Sequence, residues 1–271
     1  IPKRDWSSDV CSSDLNAFHA EQAIQALESG AAVFCQKPLG RNARETQAVI
    51  EAARQADRLL GVDFSYRQVT EIRRVYEVAR AGELGEIFAA ELVFHNAYGP
   101  DKPWYYDWQR SGGGCVIDLG VHLVDLALWM LKPARVTGVT SRLFARGRSL
   151  PLLRQSVEDY AVARLDLSSG AVVELACSWN LHAGCDAVIS GVLHGTEGGA
   201  RFMNVNGSFY HFKAERFRRT KREPLAATAE PWGGRAVAEW ARRLAAGAKF
   251  DSAIEEVRPV AETLDAIYDR R

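Results

Sequence analysis

The chain has 271 residues, which allows one large domain or two of ordinary size, and we expect two. Hydrophobic residues make up 47% and charged residues 25% of it, fractions near the globular average that exclude a disordered or collagen-like chain. Lys and Arg together number 34, as do Asp and Glu, and this balance leaves no strong field to hold nucleic acid or an anionic membrane.

The cysteines and the apolar runs narrow the class of protein further. Five cysteines occur without a C-x-x-C pair, so neither a zinc site nor a disulfide framework is indicated. No apolar run approaches the roughly 20 residues of a spanning helix, and the first residues lack the cationic and apolar parts of a signal peptide. The sequence therefore predicts a cytoplasmic protein that binds small molecules or other proteins, and no metal.

The first fifteen residues differ in character from the rest. The pentads at 6–10 (WSSDV) and 11–15 (CSSDL) nearly repeat each other and follow neither a helical nor a strand period. The stretch 5–15 resembles the translation of a widely used sequencing-adapter oligonucleotide, with a polar N-terminal arm as the alternative. We expect residues 1–15 to lie outside the fold and the biological sequence to begin near Asn16, with something upstream missing.

Residues 16–66 alternate between helix and strand patterns. Apolar positions from Ala20 recur at helical spacing until Ser29-Gly30, and the short apolar run at 31–35 is typical of a buried strand. Asn42 and Glu45 form a capping-box pattern that opens a helix to residue 56, and a second buried strand is predicted at 59–64. This order and these lengths predict half of a doubly wound parallel sheet.

After residue 66 the pattern becomes that of a second domain, 67–271. Strand-like segments are predicted at 86–95, 135–143, 159–167, 171–179 and 187–194. Helices are predicted at 70–81, 116–131, 235–246 and 252–268. Two short segments have the composition of β-hairpin turns, Ser168-Ser169-Gly170 and Asn206-Gly207. The sheet should therefore be open and largely antiparallel. The last helix begins with a capping box at Ser252 and Glu255, and we expect it to pack back on the first domain.

Lys37 lies where the first predicted strand ends. Ligands of open α/β sheets bind beyond the carboxyl ends of the strands, and Pro38 biases the lysine toward an extended turn at that edge. A partly desolvated lysine there can move a proton, as acid–base catalysis requires. A surface lysine in a loop is the competing interpretation.

A glycine-rich stretch, 111–125 (SGGGCVIDLGVHLVD), carries three polar groups on a predicted helix. Asp118 and His122 are four residues apart and Asp125 is three residues further on, so a regular helix would place all three on one face. A carboxylate four residues from a histidine can fix the orientation of the imidazole for acid–base work. The competing interpretation makes Asp118 a first-turn carboxylate and His122 a hydrogen-bonded core residue.

The three glycines at 112–114 are not expected to form a phosphate loop. Asp118 would repel the anion, and neither a Lys-Ser/Thr ending nor G-x-G-x-x-G spacing is present, so close backbone packing explains them better. Four aromatic residues cluster just before the glycines, and the sequence leaves open whether they pack under a loop or line a sugar-binding cleft. They are Trp104, Tyr105, Tyr106 and Trp108.

Taken together, these motifs resemble those of the glucose-fructose oxidoreductase, inositol dehydrogenase and MocA family. The segments that carry the resemblance, in family order and spacing, are 16–19, 36–38 (QKP), 64–67 (FSYR), 82–86 (GELGE) and 112–125. The resemblance covers essentially everything after residue 15. It implies a Rossmann domain for NAD or NADP, of which 16–66 is the C-terminal remnant, and an α/β domain, 67–271, whose open sheet supports the substrate site and a homodimer or homotetramer.

The resemblance also assigns roles to residues. It implies that Lys37, Asp118 and His122 are catalytic, and that the same three residues with Asp125 bind the substrate. The residues that match cofactor-binding positions are Asn16, His19, Gln36, Lys37, Arg67, Trp108 and Arg110. In the predicted mechanism Lys37 and His122 share removal of the hydroxyl proton, Asp118 orients His122, and Asp125 supports the helix or a substrate hydroxyl.

The chain departs from the family pattern in three places. Gln36 replaces the usual glutamate before Lys37, and Ser65 stands where asparagine is common. No G-x-G-x-x-G occurs, nor the strand with the acidic residue that meets the adenosine ribose. We therefore expect the pyrophosphate site to be absent from this chain. We also expect the chain alone to bind the cofactor weakly and to be inactive, with the activity belonging to the parent protein.

The resemblance implies an NAD(P)-dependent oxidoreductase that transfers a hydride between a sugar, polyol or related hydroxy compound and nicotinamide. The sequence does not choose between NAD and NADP, because the deciding residues are absent. One alternative is an NAD-dependent glycosidase of the same fold. Another is a non-catalytic oligomerising or ligand-binding protein.

Overall fold

The elements of the chain form two separate sheets, one small and parallel and one large and mostly antiparallel. A computed structural model describes residues 15–150, 156–225 and 231–269. The prediction that residues 1–15 lie outside the fold concerns a stretch that, except for Leu15, is outside the described residues. The carbonyl of Leu15 accepts a hydrogen bond from the Phe18 amide at the start of the first helix.

The helices are α1 (Asn16–Glu28), α2 (Ala43–Ala56), α3 (Thr70–Arg80), α4 (Trp108–Ser111), α5 (Val121–Met130), α6 (Arg235–Ala245) and α7 (Val257–Ile267). The strands are β1 (Val33–Gln36), β2 (Leu60–Asp63), β3 (Ile87–Asn96), β4 (Val136–Ala145), β5 (Arg148–Ser149), β6 (Tyr160–Leu167), β7 (Val172–Ser178), β8 (Ala187–Gly195), β9 (Gly199–Asn204), β10 (Phe212–Arg218) and β11 (Lys221–Pro224). A π-helical turn, Val116–Gly120, leads directly into α5. The order of a parallel part followed by a larger antiparallel part confirms the predicted fold class.

The small sheet pairs β1 with β2 in parallel, and α1, α2 and α6 pack around it. The Asn42 side chain accepts a hydrogen bond from the Glu45 amide, which starts α2 where the capping box predicts it. On the other side, the Trp240 ring of α6 lies 5.7 Å from the Phe34 ring. A Cβ atom at Gly61 would lie 2.6 Å from Trp240, so only glycine lets the helix approach this closely.

The large sheet has nine strands in the order β11-β10-β9-β8-β3-β7-β6-β4-β5. Its central pair, β3 with β7, is parallel, and every other pairing is antiparallel. The helices α3, α5 and α7 pack on its strands, and burial alternates along β6 and β8. This alternation is that of a sheet with one covered face and one more open face.

The structure differs from the predicted elements in three places. The predicted helix over 116–131 begins with the π turn and becomes α-helical only at Val121. The strand β9, Gly199–Asn204, was not predicted. The last helical segment starts at Asp251, whose carboxylate accepts from the Ala253 amide, and not at the predicted Ser252 cap.

One helical stretch of the described residues, Trp108–Met130, is long and apolar enough by length and composition to cross a membrane, although polar and charged residues interrupt it. Its most apolar window is 94% buried inside the protein. The stretch contains the glycines, the π turn and α5, and α5 packs on β3 and β7. Burial to this extent is typical of a helix in the core of a protein.

A buried ion pair joins the end of the small sheet to α5. Arg67, in the 3-10 turn after β2, donates to both carboxylate oxygens of Asp125, at 2.5 and 2.9 Å. The Asp125 side chain is 2% exposed, and burial raises its pKa although Arg67 acts in the opposite direction. Arg67 also pairs with Glu256 and lies over the Trp129 ring. Removing Arg67 would leave the buried Asp125 carboxylate uncompensated, and removing Asp125 would leave Arg67 with only the more exposed Glu256.

We expect Asp125→Ala to lower the free energy of unfolding by about 3 kcal/mol, because the buried Arg67 loses its main partner. The measurement is urea denaturation followed by circular dichroism. Asp166→Ala is the control, since its pair with Arg164 is about half exposed and should contribute below about 1 kcal/mol. Equal, small effects of the two substitutions would contradict a structural role for the Arg67–Asp125 pair.

Candidate active site

Lys37 and Asp118 form an ion pair between the small sheet and the turn that precedes α5. Lys37 comes directly after β1, and its Nζ lies 2.8 Å from Oδ1 of Asp118 and 2.7 Å from the Asp118 carbonyl oxygen. The two side chains are 17% and 18% exposed, so a ligand can reach them. An ammonium group has three N–H donors, and these contacts use two of them. The third remains for an oxygen atom of a ligand.

Trp179 holds the other oxygen of Asp118. Its indole Nε1 donates to Oδ2 at 3.0 Å, and the residue lies just after β7, 3% exposed. With Lys37 on one oxygen and Trp179 on the other, the orientation of the carboxylate is fixed. The sequence analysis did not single out Trp179, because it is 61 residues from Asp118 and no local pattern links the two.

A buried glutamate supports the turn that carries Asp118. Oε1 of Glu158 accepts hydrogen bonds from the amides of Gly114 and Val116, at 3.0 and 2.9 Å, and from the Tyr268 hydroxyl at 2.7 Å. Glu158 is 1% exposed, and burial raises the pKa of its carboxyl. Glu158 was not identified from the sequence. The only sequence feature that marks it is its position as an acidic residue just before a predicted strand.

The glycines are required by close packing around this glutamate. A Cβ atom at Gly113 would lie 2.1 Å from the Tyr268 hydroxyl, and one at Gly114 would lie 1.9 Å from the Glu158 carbonyl oxygen. The amide of Gly114 is already bonded to Glu158. This agrees with the prediction that the glycines serve backbone packing and do not form a phosphate loop.

His122 lies in the interior beside aromatic rings. The Tyr66 ring is 4.8 Å and the Phe94 ring 6.4 Å from its own, and Nδ1 is buried with no hydrogen-bond partner in the described part of the chain. Burial lowers the pKa of His122 well below its usual value, and the charge of Lys37 acts in the same direction. The imidazole is therefore neutral at physiological pH.

The predicted orientation of His122 by Asp118 is wrong. Both Asp118 oxygens are bonded to other residues, Lys37 and Trp179, while Nδ1 of His122 has no described partner. The π turn is the physical reason, since it adds a residue to one turn and rotates the rest of the helix relative to a regular one. Asp125, expected on the same face, pairs instead with Arg67.

The predicted cofactor residues Asn16, His19 and Gln36 lie around the Lys37 turn. Asn16 donates to the Ser111 carbonyl at 2.8 Å, and Nδ1 of His19 lies 2.7 Å from the Pro38 carbonyl oxygen. Gln36 is exposed, and its amide donates to Asp63 and accepts from the Lys37 amide. The structure thus brings these three to the same edge of the small sheet as Lys37.

The remaining predicted residues take other positions. Arg67 and Asp125 are bonded to each other, which agrees with a supporting role of Asp125 on the helix, while their cofactor and substrate roles stay predictions. Trp108 packs edge-on against Tyr268 at 5.2 Å. Arg110 is 62% exposed and pairs with Asp107. The structure places Arg110 at the surface, and its cofactor role stays a prediction.

Comparison with known proteins identifies the same two parts. Residues 9–64 match the oxidoreductase family with an NAD-binding Rossmann fold, and residues 72–201 match the GFO/IDH/MocA C-terminal domain. Together the two matches cover more than half of the chain.

The chain is also similar to individual sugar oxidoreductases. It is 26% identical over 226 residues to levoglucosan dehydrogenase of Pseudarthrobacter phenanthrenivorans, covering 73% of this chain and 58% of the relative. It is 27% identical over 201 residues to D-glucoside 3-dehydrogenase of Escherichia coli, covering 70% and 57%. The chain thus spans little more than half the length of these relatives.

A solved structure with the same fold is that of levoglucosan dehydrogenase in complex with NADH and levoglucosan. It matches this chain with a TM-score of 0.77 at 21% identity, covering 96% of this chain and 76% of that one. At this identity the likeness establishes the fold.

We expect stability to fall on acidification partly because of His122. Its folded-state pKa is lowered, so below about pH 6.5 the unfolded state takes up a proton that the folded state does not. Between pH 7 and pH 5 the free energy of unfolding should fall by about 1.5 kcal/mol more in the unsubstituted protein than in His122→Gln. Urea denaturation at both pH values measures this, and parallel pH profiles would contradict a neutral, buried His122.

We expect Glu158→Ala to lower the free energy of unfolding by about 3 kcal/mol, because two backbone amides and a tyrosine hydroxyl lose their acceptor. Tyr268→Phe removes one of the three bonds and should lower it by about 1 kcal/mol. The control is Glu174→Ala, whose exposed side chain lies on β7. Denaturation curves that do not separate Glu158→Ala from this control would disprove the supporting role of Glu158.

Proposed function

The chain belongs to the GFO/IDH/MocA oxidoreductase family, and from that premise we propose that it acts in hydride transfer between NAD or NADP and a hydroxyl-bearing carbon of a sugar, polyol or related compound. The observation that carries the proposal is the Lys37–Asp118 pair, partly exposed and with one Lys37 N–H left for a substrate oxygen. The names of the relatives, levoglucosan dehydrogenase and D-glucoside 3-dehydrogenase, favour a sugar substrate.

The residues near Lys37 fit the nicotinamide end of the cofactor. The exposed Gln36 amide uses one N–H on Asp63 and can donate the other to a carboxamide, and His19 and Asn16 border the same turn. A nicotinamide bound there supplies the hydride acceptor. The chain itself has no G-x-G-x-x-G sequence, so these residues account for the nicotinamide half alone.

The residues of the site have different roles in proton transfer. The Lys37 ammonium donates to the substrate oxygen and stabilises negative charge on it, while the Asp118 carboxylate keeps Lys37 in place. His122, held neutral by burial, has a lone pair that can accept the hydroxyl proton. In the reverse direction protonated His122 returns that proton to the substrate oxygen, while Lys37 stabilises the negative charge that hydride addition places on it. Trp179 fixes the carboxylate throughout.

The assembly and the cellular setting of this activity are further parts of the proposal. The more open face of the nine-stranded sheet is the surface through which we infer a homodimer or homotetramer. Free cysteines, three of them buried among the described residues, favour a reducing cytoplasm.

We expect Lys37→Met to lower kcat/KM for the sugar about 10²- to 10⁴-fold, because the substrate oxygen loses the ammonium group that stabilises its negative charge during proton transfer. The measurement is NADH or NADPH formation, followed by its absorbance, in a version of the protein that carries a complete dinucleotide site, with saturating cofactor and a panel of aldoses, polyols and glycosides. Lys249→Met is the control, since Lys249 pairs with Asp57 at the surface, 66% exposed. Unaltered turnover in Lys37→Met would remove this lysine from the mechanism.

We expect NAD⁺ to bind this chain with nearly the same affinity as nicotinamide mononucleotide, because the residues that fit the cofactor lie at its nicotinamide end. Calorimetry with the two ligands, and with AMP for the other half, measures this. Micromolar binding of NAD⁺ or AMP would show that the chain contacts the adenosine half, and would contradict the assignment.

A further inference from the structure

Four aromatic side chains form a continuous wall beside the Lys37–Asp118 pair. The Trp104 and Tyr105 rings stack at 3.8 Å with 20° between their planes. Tyr105 and Tyr106 meet the Trp179 ring edge-on, at 6.2 and 5.8 Å. We call these four residues, Trp104, Tyr105, Tyr106 and Trp179, the aromatic wall. Three of them belong to one short segment between β3 and α4, and the fourth comes just after β7.

The outer part of the wall is open to solvent. Tyr106 is 50% exposed, and Trp104 and Tyr105 are partly exposed, whereas Trp179 is buried. Single exposed aromatic residues are ordinary, but several in contact form an apolar patch, which indicates a binding surface. Tyr105 packs against the main core on one side, and Trp104 stacks on it from the side of the solvent.

Polar groups border the rings. A Cβ atom built on Gly99 would lie 2.3 Å from the Tyr106 hydroxyl and 2.9 Å from the Asn180 side-chain nitrogen, so both groups converge there. Asn180 is exposed, with a left-handed backbone at φ +53° just beyond the strand end. Aromatic faces bordered by amide and hydroxyl groups match the two surfaces of a sugar ring, which has apolar C–H faces and a polar rim.

Trp179 fixes the position of the aromatic wall relative to the Lys37–Asp118 pair. Its N–H bonds Oδ2 of Asp118, and its ring edge contacts Tyr105 and Tyr106. The indole therefore stands between the carboxylate and the outer rings. Trp104 follows Tyr105 in the same series of contacts, so it is separated from Asp118 by two rings, and the outer rings are positioned for a second sugar ring joined to the one at Lys37 and Asp118.

We propose that the aromatic wall binds the second, non-reacting ring of a two-ring glycoside whose first ring lies at Lys37 and Asp118. This rests on the proposed function and adds to it a substrate class, a disaccharide or other sugar-bearing glycoside. Trp104 and Tyr106 then determine specificity for the second ring and take no part in the reaction.

The test measures sugar binding to the chain by saturation-transfer NMR, with cellobiose, maltose, glucose and UDP-glucose as ligands. Trp104→Ala and Tyr106→Ala should each weaken binding of at least one disaccharide about fivefold and leave glucose unchanged, because only the second ring loses its stacking partner. The control is Phe88→Ala, whose ring is 54% exposed on the large sheet and should affect none of the four ligands.

The other outcomes separate the wall from the proposed function. Suppose that disaccharides bind and that Lys37→Met weakens their binding, whereas Trp104→Ala and Tyr106→Ala do not. The wall assignment is then overturned and the proposed function stands. If only UDP-glucose depends on the wall, the occupant is a nucleotide and the second-ring assignment is wrong. If none of the sugars binds at millimolar concentration, the sugar substrate and the wall assignment both fail.

Discussion

The arrangement of the site depends on one requirement, that the partly buried charges of Lys37 and Asp118 compensate each other. A charged group removed from water is costly unless an opposite charge and hydrogen bonds replace the solvent. Lys37 ends a strand of the small sheet, and Asp118 lies on a turn packed against the large sheet. Because neither charge is satisfied without the other, the pair fixes the edge of one sheet against the helix of the other and leaves one donor for a ligand.

The neighbours of the pair show how a glycine-rich segment is made rigid by residues far away in the sequence. Glycines alone would give the 112–114 segment wide backbone freedom. Glu158 and Tyr268 remove that freedom, one through backbone amides and the other by filling the space that a Cβ would need. Tyr268 lies just after α7 and Glu158 just before β6, so distant segments meet at the turn. Rigidity here is a tertiary property, which no local pattern contains.

Sequence analysis located the elements with strong periodicity and the residues within recognisable motifs. The start of α2 at Asn42 follows from capping chemistry, and Lys37 and Asp118 stand in motifs whose spacing indicates the family. Trp179 and Glu158 were missed because each acts across more than 40 residues of sequence, through contacts that form only on folding. The pairing of Asp118 with His122 was wrong because a regular helical period was assumed, and a π turn breaks it.

The length of that π turn also matters to the site. A π turn is an α-helical turn with one residue inserted, and it is found frequently at functional sites. Losing a single residue between Cys115 and Val121 would restore a regular helix and turn the Asp118 carboxylate away from Lys37, while α5 stayed packed in the core. The ion pair of the site therefore depends on the length of this turn, whereas the packing of α5 on β3 and β7 does not.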